Sequence, residues 1–250
     1  MKQISSKEIE AQDSGLMAMI YGSSGIGKSV STLQSAPDPI LYVIPEPRDV
    51  KRMLKAANRP DLKYKVAIYE NWPDMIQFFA DSENVKPYRS IVIDSLSHLM
   101  NIQLTSEIQD QSFEALDEKK ATAKPLVMQT KMSEEGWGAL ASNMFRLCNL
   151  LMKLAATHGK IVICTALEES TPKWNRSLAA APNFGGRMFN KNFPGFFDLI
   201  GLVQAREKDG QVVYPPVVHF ASKDDDFIAK ATGGMAKTSG PLDWAKILQL

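Results

Sequence analysis

The chain has 250 residues, 44% of them hydrophobic, which suits one α/β domain of this length. Its formal net charge of +1 excludes an overall basic field, so any nucleic-acid site has to be a local patch. No apolar run reaches membrane-spanning length, and the two cysteines, Cys148 and Cys164, form no spaced pair; membrane-spanning and disulfide-framework classes are set aside, and a reducing, cytoplasmic setting is expected.

Residues 1–13 are polar and have no apolar signal core, so a single domain is expected over 14–250. Its first element is a strand over "LMAMIY" (16–21), which runs into Gly22-Ser23-Ser24-Gly25-Ile26-Gly27-Lys28-Ser29. That is G-x-x-x-x-G-K-[ST], the spacing of a phosphate-binding loop. The glycines let backbone N–H groups turn toward a polyphosphate. Lys28 reaches the β- and γ-phosphates, and the Ser29 hydroxyl ligates Mg²⁺. A helix is predicted over "KSVSTLQSA" (28–36), and its N-terminal end adds positive potential. The expected ATP-contacting stretch is Gly22 to Val30. A glycine-rich turn without a ligand is the alternative, and the strand–loop–helix setting speaks against it.

The next strand is predicted over 40–44 and ends at Pro45-Glu46-Pro47. A carboxylate at a strand's C-terminal edge beside the phosphate loop is placed to orient and activate a water. An exposed loop glutamate is the competing possibility. After the apolar run "KVAIYE" (65–70), "SIVIDSLSHL" (90–99) gives a strand ending in Asp94, the form expected of a Walker B carboxylate that holds the Mg²⁺ shell. Ser95 is a candidate cap for the helix behind it. Residues 101–136 are polar and charged and are expected to leave the core.

A further strand, "KIVICTALEES" (160–170), carries Thr165 and Glu168 at its end. Thr165 is a candidate sensor of the γ-phosphate, with core packing as its rival. Residues 171–192 hold Lys173, Arg176, Arg187 and Lys191 and no acid, with Trp174, Phe184 and Phe189 interleaved. Cations that follow a phosphate backbone and aromatic faces that stack bases have this composition. So does a basic surface loop whose aromatics pack on the core. The tail 212–234 is expected to form two strands around "SKDDD".

In this order the parts resemble the RecA-type ATPase core, and most of all the small phage RecA-like ATPases of the Sak type, which act in single-strand annealing. The matching pieces are "GSSGIGKS", "LYVIPEP", "IVIDS", the helix "GWGALASNMFRLCNLLMKLAATHG", "IVICTAL" and the glycine-bearing "GGRMFNKNFPGFFDLIGLV" (185–203). The resemblance implies an α/β fold with a mostly parallel central sheet flanked by helices. It implies Mg²⁺–ATP as ligand, Glu46 as the water-activating base, and catalytic roles for Lys28 and Asp94. It also implies single-stranded DNA on Lys173, Arg176, Arg187, Phe189 and Lys191. Lys223, or Lys230 instead, resembles in position a lysine that reaches a neighbouring subunit's γ-phosphate, with a solvated charged turn as the competing possibility. Such a trans cation implies a homo-oligomeric ring or filament with ATP at subunit interfaces. "ICTALEE" lacks the glutamine that RecA has there, so coupling falls to Thr165 or Glu168. The expected function is a DNA-stimulated ATPase of recombination or annealing. Two rivals are a nucleotide-gated assembly or loader ATPase without DNA contact, and a small-molecule kinase. No arginine-rich lid is evident for the kinase, although "EPRDVKRMLK" could supply arginines.

Overall fold

Period-two alternation in the first strand sets the architecture. In β1 (Leu16–Gly22), Leu16, Ala18 and Ile20 enter one hydrophobic core while Met17, Met19 and Tyr21 enter another. A strand that is apolar on both faces has to be covered on both. The computed structural model describes residues 15–46, 48–110, 132, 134–234 and 236–249. The expectations placed on 1–13, on Pro47 and on 111–131 lie outside the described residues.

The sheet runs β3 (Tyr64–Ile68), β2 (Ile40–Ile44), β4 (Ser90–Ile93), β5 (Ile161–Ser170), β1, β7 (Leu199–Lys208), β8 (Gln211–His219) and β10 (Ser239–Pro241). Every pairing from β3 to β7 is parallel, and β7 to β8 and β8 to β10 are antiparallel. Two short strands attach at the sides, β6 (Ala180–Pro182) to β5 and β9 (Lys230–Ala231) to β7. This is the mostly parallel α/β sheet that the sequence led us to expect.

One face is covered by α1 (Lys28–Ser35), α2 (Val50–Ala57) and α8 (Trp244–Ile247), through Leu33, Ala57, Trp244 and Ile247. The Trp244 indole N–H donates to Thr32 Oγ1 at 3.3 Å, which ties the C-terminal helix to the helix of the phosphate loop. The other face is covered by α3 (Trp72–Ala80) and α6 (Glu134–His158). Leu140, Met144, Leu147, Leu151 and Leu154 recur at helical spacing and form the buried stripe of α6. Cys148 and Cys164 are free and fully buried; burial pushes the Cys148 thiol up to about 12 and Cys164 well above its usual range. No helix among the described residues is long and apolar enough to cross a membrane.

Three expectations change. The start of 101–136 does not leave the core: a π-helical turn, Leu99–Leu104, buries Leu104 completely, and helix continues through 105–110. The tail has a full strand, β8, before "SKDDD" but only the two-residue β9 after it, and β9 pairs with β7 and not with β8. β7 and β8 form a hairpin through Asp209-Gly210, both at positive φ, the geometry a two-residue turn needs. "SKDDD" is a turn closed by Ser222 Oγ donating to Asp226 Oδ1 at 2.7 Å, and only two residues of strand follow. Finally, 171–192 is not one loop, because it contains β6 and α7 (Arg187–Asn192).

Candidate active site

The phosphate loop is fixed by what surrounds its glycines. A Cβ on Gly22 would lie 2.4 Å from the Val203 carbonyl oxygen, so only glycine lets β1 sit this close to β7. Gly27 has φ 98°, and a Cβ there would also meet the Tyr214 ring at 2.8 Å. The loop then opens directly into α1. Lys28 is 7% exposed, and its ammonium donates to the carbonyls of Gly22 at 2.7 Å and Ser23 at 2.8 Å. Burial lowers its pKa to about 8; the nearby Asp94 charge opposes that shift and Arg48 adds to it.

Asp94, at the end of β4, is 2% exposed and held on both oxygens. The Thr165 hydroxyl, from the adjacent β5, donates to Oδ1. The Tyr42 hydroxyl, from the adjacent β2, donates to Oδ2 at 2.5 Å. Burial first, and then the Asp94 charge, hold the Tyr42 phenol far above its ordinary range, so it is a neutral donor at any physiological pH. The Ser29 hydroxyl also interacts with this phenol. Ser95 caps the next helix, α5 (Leu96–His98), by accepting from the His98 N–H, as the sequence suggested.

Ser24 to Val30, Asp94 and Thr165 line one cavity. The structure therefore gathers the predicted phosphate loop, Walker B carboxylate and candidate sensor around a single space. Glu46 stands just outside it, with its side chain 17% exposed. It is ion-paired with Arg48 and lies 3.1 Å from His98 Nδ1. Arg48 lines the cavity, and its other guanidinium nitrogen is 3.6 Å from Asp94 Oδ2. One guanidinium thus spans the two carboxylates that the sequence assigned to catalysis. From the loop side, Ser23 Oγ donates to Glu168 Oε2 at 3.1 Å.

These residues fit Mg²⁺ and a polyphosphate. The donors at the cavity are a hydroxyl and a carboxylate, oxygen ligands of the kind Mg²⁺ takes. The cradle also has one buried cation, Lys28, whose ammonium has only carbonyl oxygens as partners.

Tyr42, Arg48 and His98 were not anticipated as site residues, although the arginines of "EPRDVKRMLK" were noted for another purpose. Arg48 had a local signal, a cation two places after Glu46. Tyr42 had only its polar hydroxyl in an otherwise apolar strand.

The basic segment is reached along β5. Thr171, the first residue after that strand, has φ 49°. Lys173, Arg176, Arg187 and Lys191 are all exposed, and none makes an ion pair among the described residues. Phe189 needs correction as a base-stacking residue. It is 0% exposed and packs against Phe145, Phe184 and Phe193, so no ring face is open to a base. Phe184 is buried as well, and Trp174 is the half-buried aromatic of this segment. Lys223 is exposed in the turn after β8 and does not line the cradle. Lys230 donates to the Pro194 carbonyl at 3.0 Å.

Two comparisons with known proteins bear on the cradle. The family described as AAA domain matches residues 14–233. No curated protein matches the chain.

Proposed function

Because the chain belongs to the AAA domain family of P-loop ATPases, we propose that it is a RecA-like ATPase, close to the Sak-type phage proteins, that assembles on single-stranded DNA in recombination or annealing. ATP is the substrate, held from Gly22 to Val30 with Lys28 against its β- and γ-phosphates. Ser29 and Asp94 would hold Mg²⁺, which would supply charge neutralisation at the phosphates.

Glu46 acts as the base that orients and deprotonates the attacking water. In the arrangement described above it is occupied by Arg48. A γ-phosphate offers that guanidinium a doubly charged partner of matching fork geometry. Arg48 then turns to the phosphate and leaves the Glu46 carboxylate to the water. Thr165 and Tyr42 keep Asp94 fixed throughout. Lys223 of a neighbouring copy adds positive charge to the same phosphate, so the working unit is a ring or filament with ATP between subunits.

Support for the DNA part comes from one adjacency. β5 holds Thr165 against Asp94 and ends at Ser170, and the segment after it, 171–192, carries four cations that make no ion pair among the described residues. Glu168, which accepts from Ser23 of the phosphate loop, lies on the same strand and gives a second link. The direct experiment is ATP hydrolysis with and without single-stranded DNA, paired with negative-stain imaging in a non-hydrolysable ATP analogue. Stimulation together with DNA-dependent rings or filaments is expected. Hydrolysis indifferent to DNA, with no assembly on it, would leave a loader or assembly ATPase in its place.

A further inference from the structure

Few buried polar side-chain atoms go unpaired in folded proteins, and each one calls for an explanation. Among the described residues, Trp174 Nε1 and Asn190 Oδ1 are two such atoms; a third, Glu46 Oε1, is ion-paired with Arg48. The orientation of the Asn190 amide is fixed. Its nitrogen donates to the carbonyls of Phe184 at 2.8 Å and Gly186 at 2.9 Å, so the oxygen cannot be exchanged into that place without losing both bonds. Asn190 is also 2% exposed. One donor and one acceptor are therefore left over, and the two residues line the same cavity.

The rest of that cavity narrows the occupant. Leu178, Pro194 and Ile228 supply apolar walls, and the indole adds a flat one. Lys191 stands at its rim and is exposed. Lys173, Arg176 and Arg187 belong to the same segment and have no carboxylate partner among the described residues. A planar ring with an acceptor beside a donor on its edge, joined to a chain of phosphates, matches all of these features. Every nucleobase has such an edge. The apolar walls suit a base face, and cations suit the backbone between bases.

We propose that this cavity takes one nucleobase of single-stranded DNA, with its edge bonded between Trp174 Nε1 and Asn190 Oδ1. The proposal rests on the single-stranded DNA reading above and adds a base pocket to it. Trp174 lies in the irregular stretch between β5 and β6, outside any strand ladder. All four bases offer a donor–acceptor pair, so the pocket needs a base without selecting one.

The test uses the full chain with a non-hydrolysable ATP analogue and two fluorescein-labelled oligonucleotides of equal length. One is oligothymidine and the other carries abasic sites. Anisotropy should show tighter binding of oligothymidine by the wild type. Trp174→Phe, which keeps a ring and removes the N–H, should weaken oligothymidine binding about three- to tenfold. It should leave the abasic oligonucleotide unchanged. Equal wild-type affinity for the two oligonucleotides would overturn the pocket and leave the DNA reading standing. No binding of either would overturn the DNA reading itself. The wild-type comparison does not depend on the folding of any variant.

Discussion

Lys28 links the site to pH. Its folded pKa, about 8, lies below the ordinary lysine value of 10.5, because burial disfavours the ammonium. Between these two values the unfolded chain binds more protons than the folded one, so stability rises as pH climbs through that window. Below about pH 8 the cost of burying the charged ammonium is present in full. Nucleotide binding runs the opposite way, since phosphates need the charged form. ATP affinity should fall above about pH 8, approaching tenfold per pH unit as the protonated fraction shrinks. Calorimetry in buffers of different ionisation enthalpy should show proton uptake on binding near pH 8.5. Lys28→Ala should abolish tight binding at every pH, and a variant of wild-type affinity would remove the phosphate-loop assignment. Glu46→Gln should bind ATP but hydrolyse it about 10²–10⁴-fold more slowly, as measured by phosphate release. A loss of only a few-fold would move the base to Glu168. Lys28 and Asp94 were legible in the sequence because phosphate and Mg²⁺ dictate residue type and spacing. Tyr42 was not, because its role comes from β2 lying beside β4, a pairing that no local pattern encodes. His98 was hidden for the same reason: it reaches Glu46 from a different segment of the chain.

At the level of elements, α7 separates packing from exposed charge. Phe189 points into the core, while Arg187 and Lys191, two residues to either side, are exposed. Phe189→Ala should cost about 3–5 kcal/mol of stability, visible as a large fall in denaturant midpoint. Arg187→Ala with Lys191→Ala should change stability by no more than about 0.5 kcal/mol per site. The pair should weaken single-stranded DNA binding and flatten its salt dependence by up to about two phosphate equivalents. An unchanged salt slope would place the strand elsewhere. An aromatic between two cations reads the same in sequence whether it stacks on bases or anchors a short helix. Composition gives its chemistry and not its direction. The parallel strands were legible because long apolar runs between helices leave few alternatives. β9 and β10 were not: two or three residues carry too little pattern, and their partners lie well back in the chain.

On the scale of the whole molecule, the proposed trans role of Lys223 is the test of whether the working unit is more than one copy. Lys223 is exposed and does not line its own cradle, so any role on a γ-phosphate would have to be played on a neighbouring copy. Lys223→Ala should lower turnover in the assembled state and leave ATP affinity within a few-fold of wild type. Mixing Lys223→Ala with Lys28→Ala protein should restore part of the activity, since an intact cradle then meets an intact lysine across some interfaces. Mixtures no more active than the sum of the parts would rule out a shared site.

The left-handed residue at the end of β5 has a mechanical consequence. From Thr165 to Ser170 the strand spans about 17 Å, and it is laddered to β1 and then to β6. That stretch works as a rod of fixed length. The first joint beyond it is Thr171 at φ 49°, a setting that a β-branched residue holds only under about 1–3 kcal/mol of strain. The joint is therefore cocked. β6 folds back onto the same rod, so the arm whose course this one dihedral sets is 172–179, which carries Lys173 and Arg176. Thr171→Gly would remove the spring and keep the pivot. Its expected signature is weakened single-stranded DNA binding that no longer differs between ATP and ADP, with nucleotide affinity intact. An ATP-dependent preference as large as that of the wild type would show that the arm is set from somewhere else.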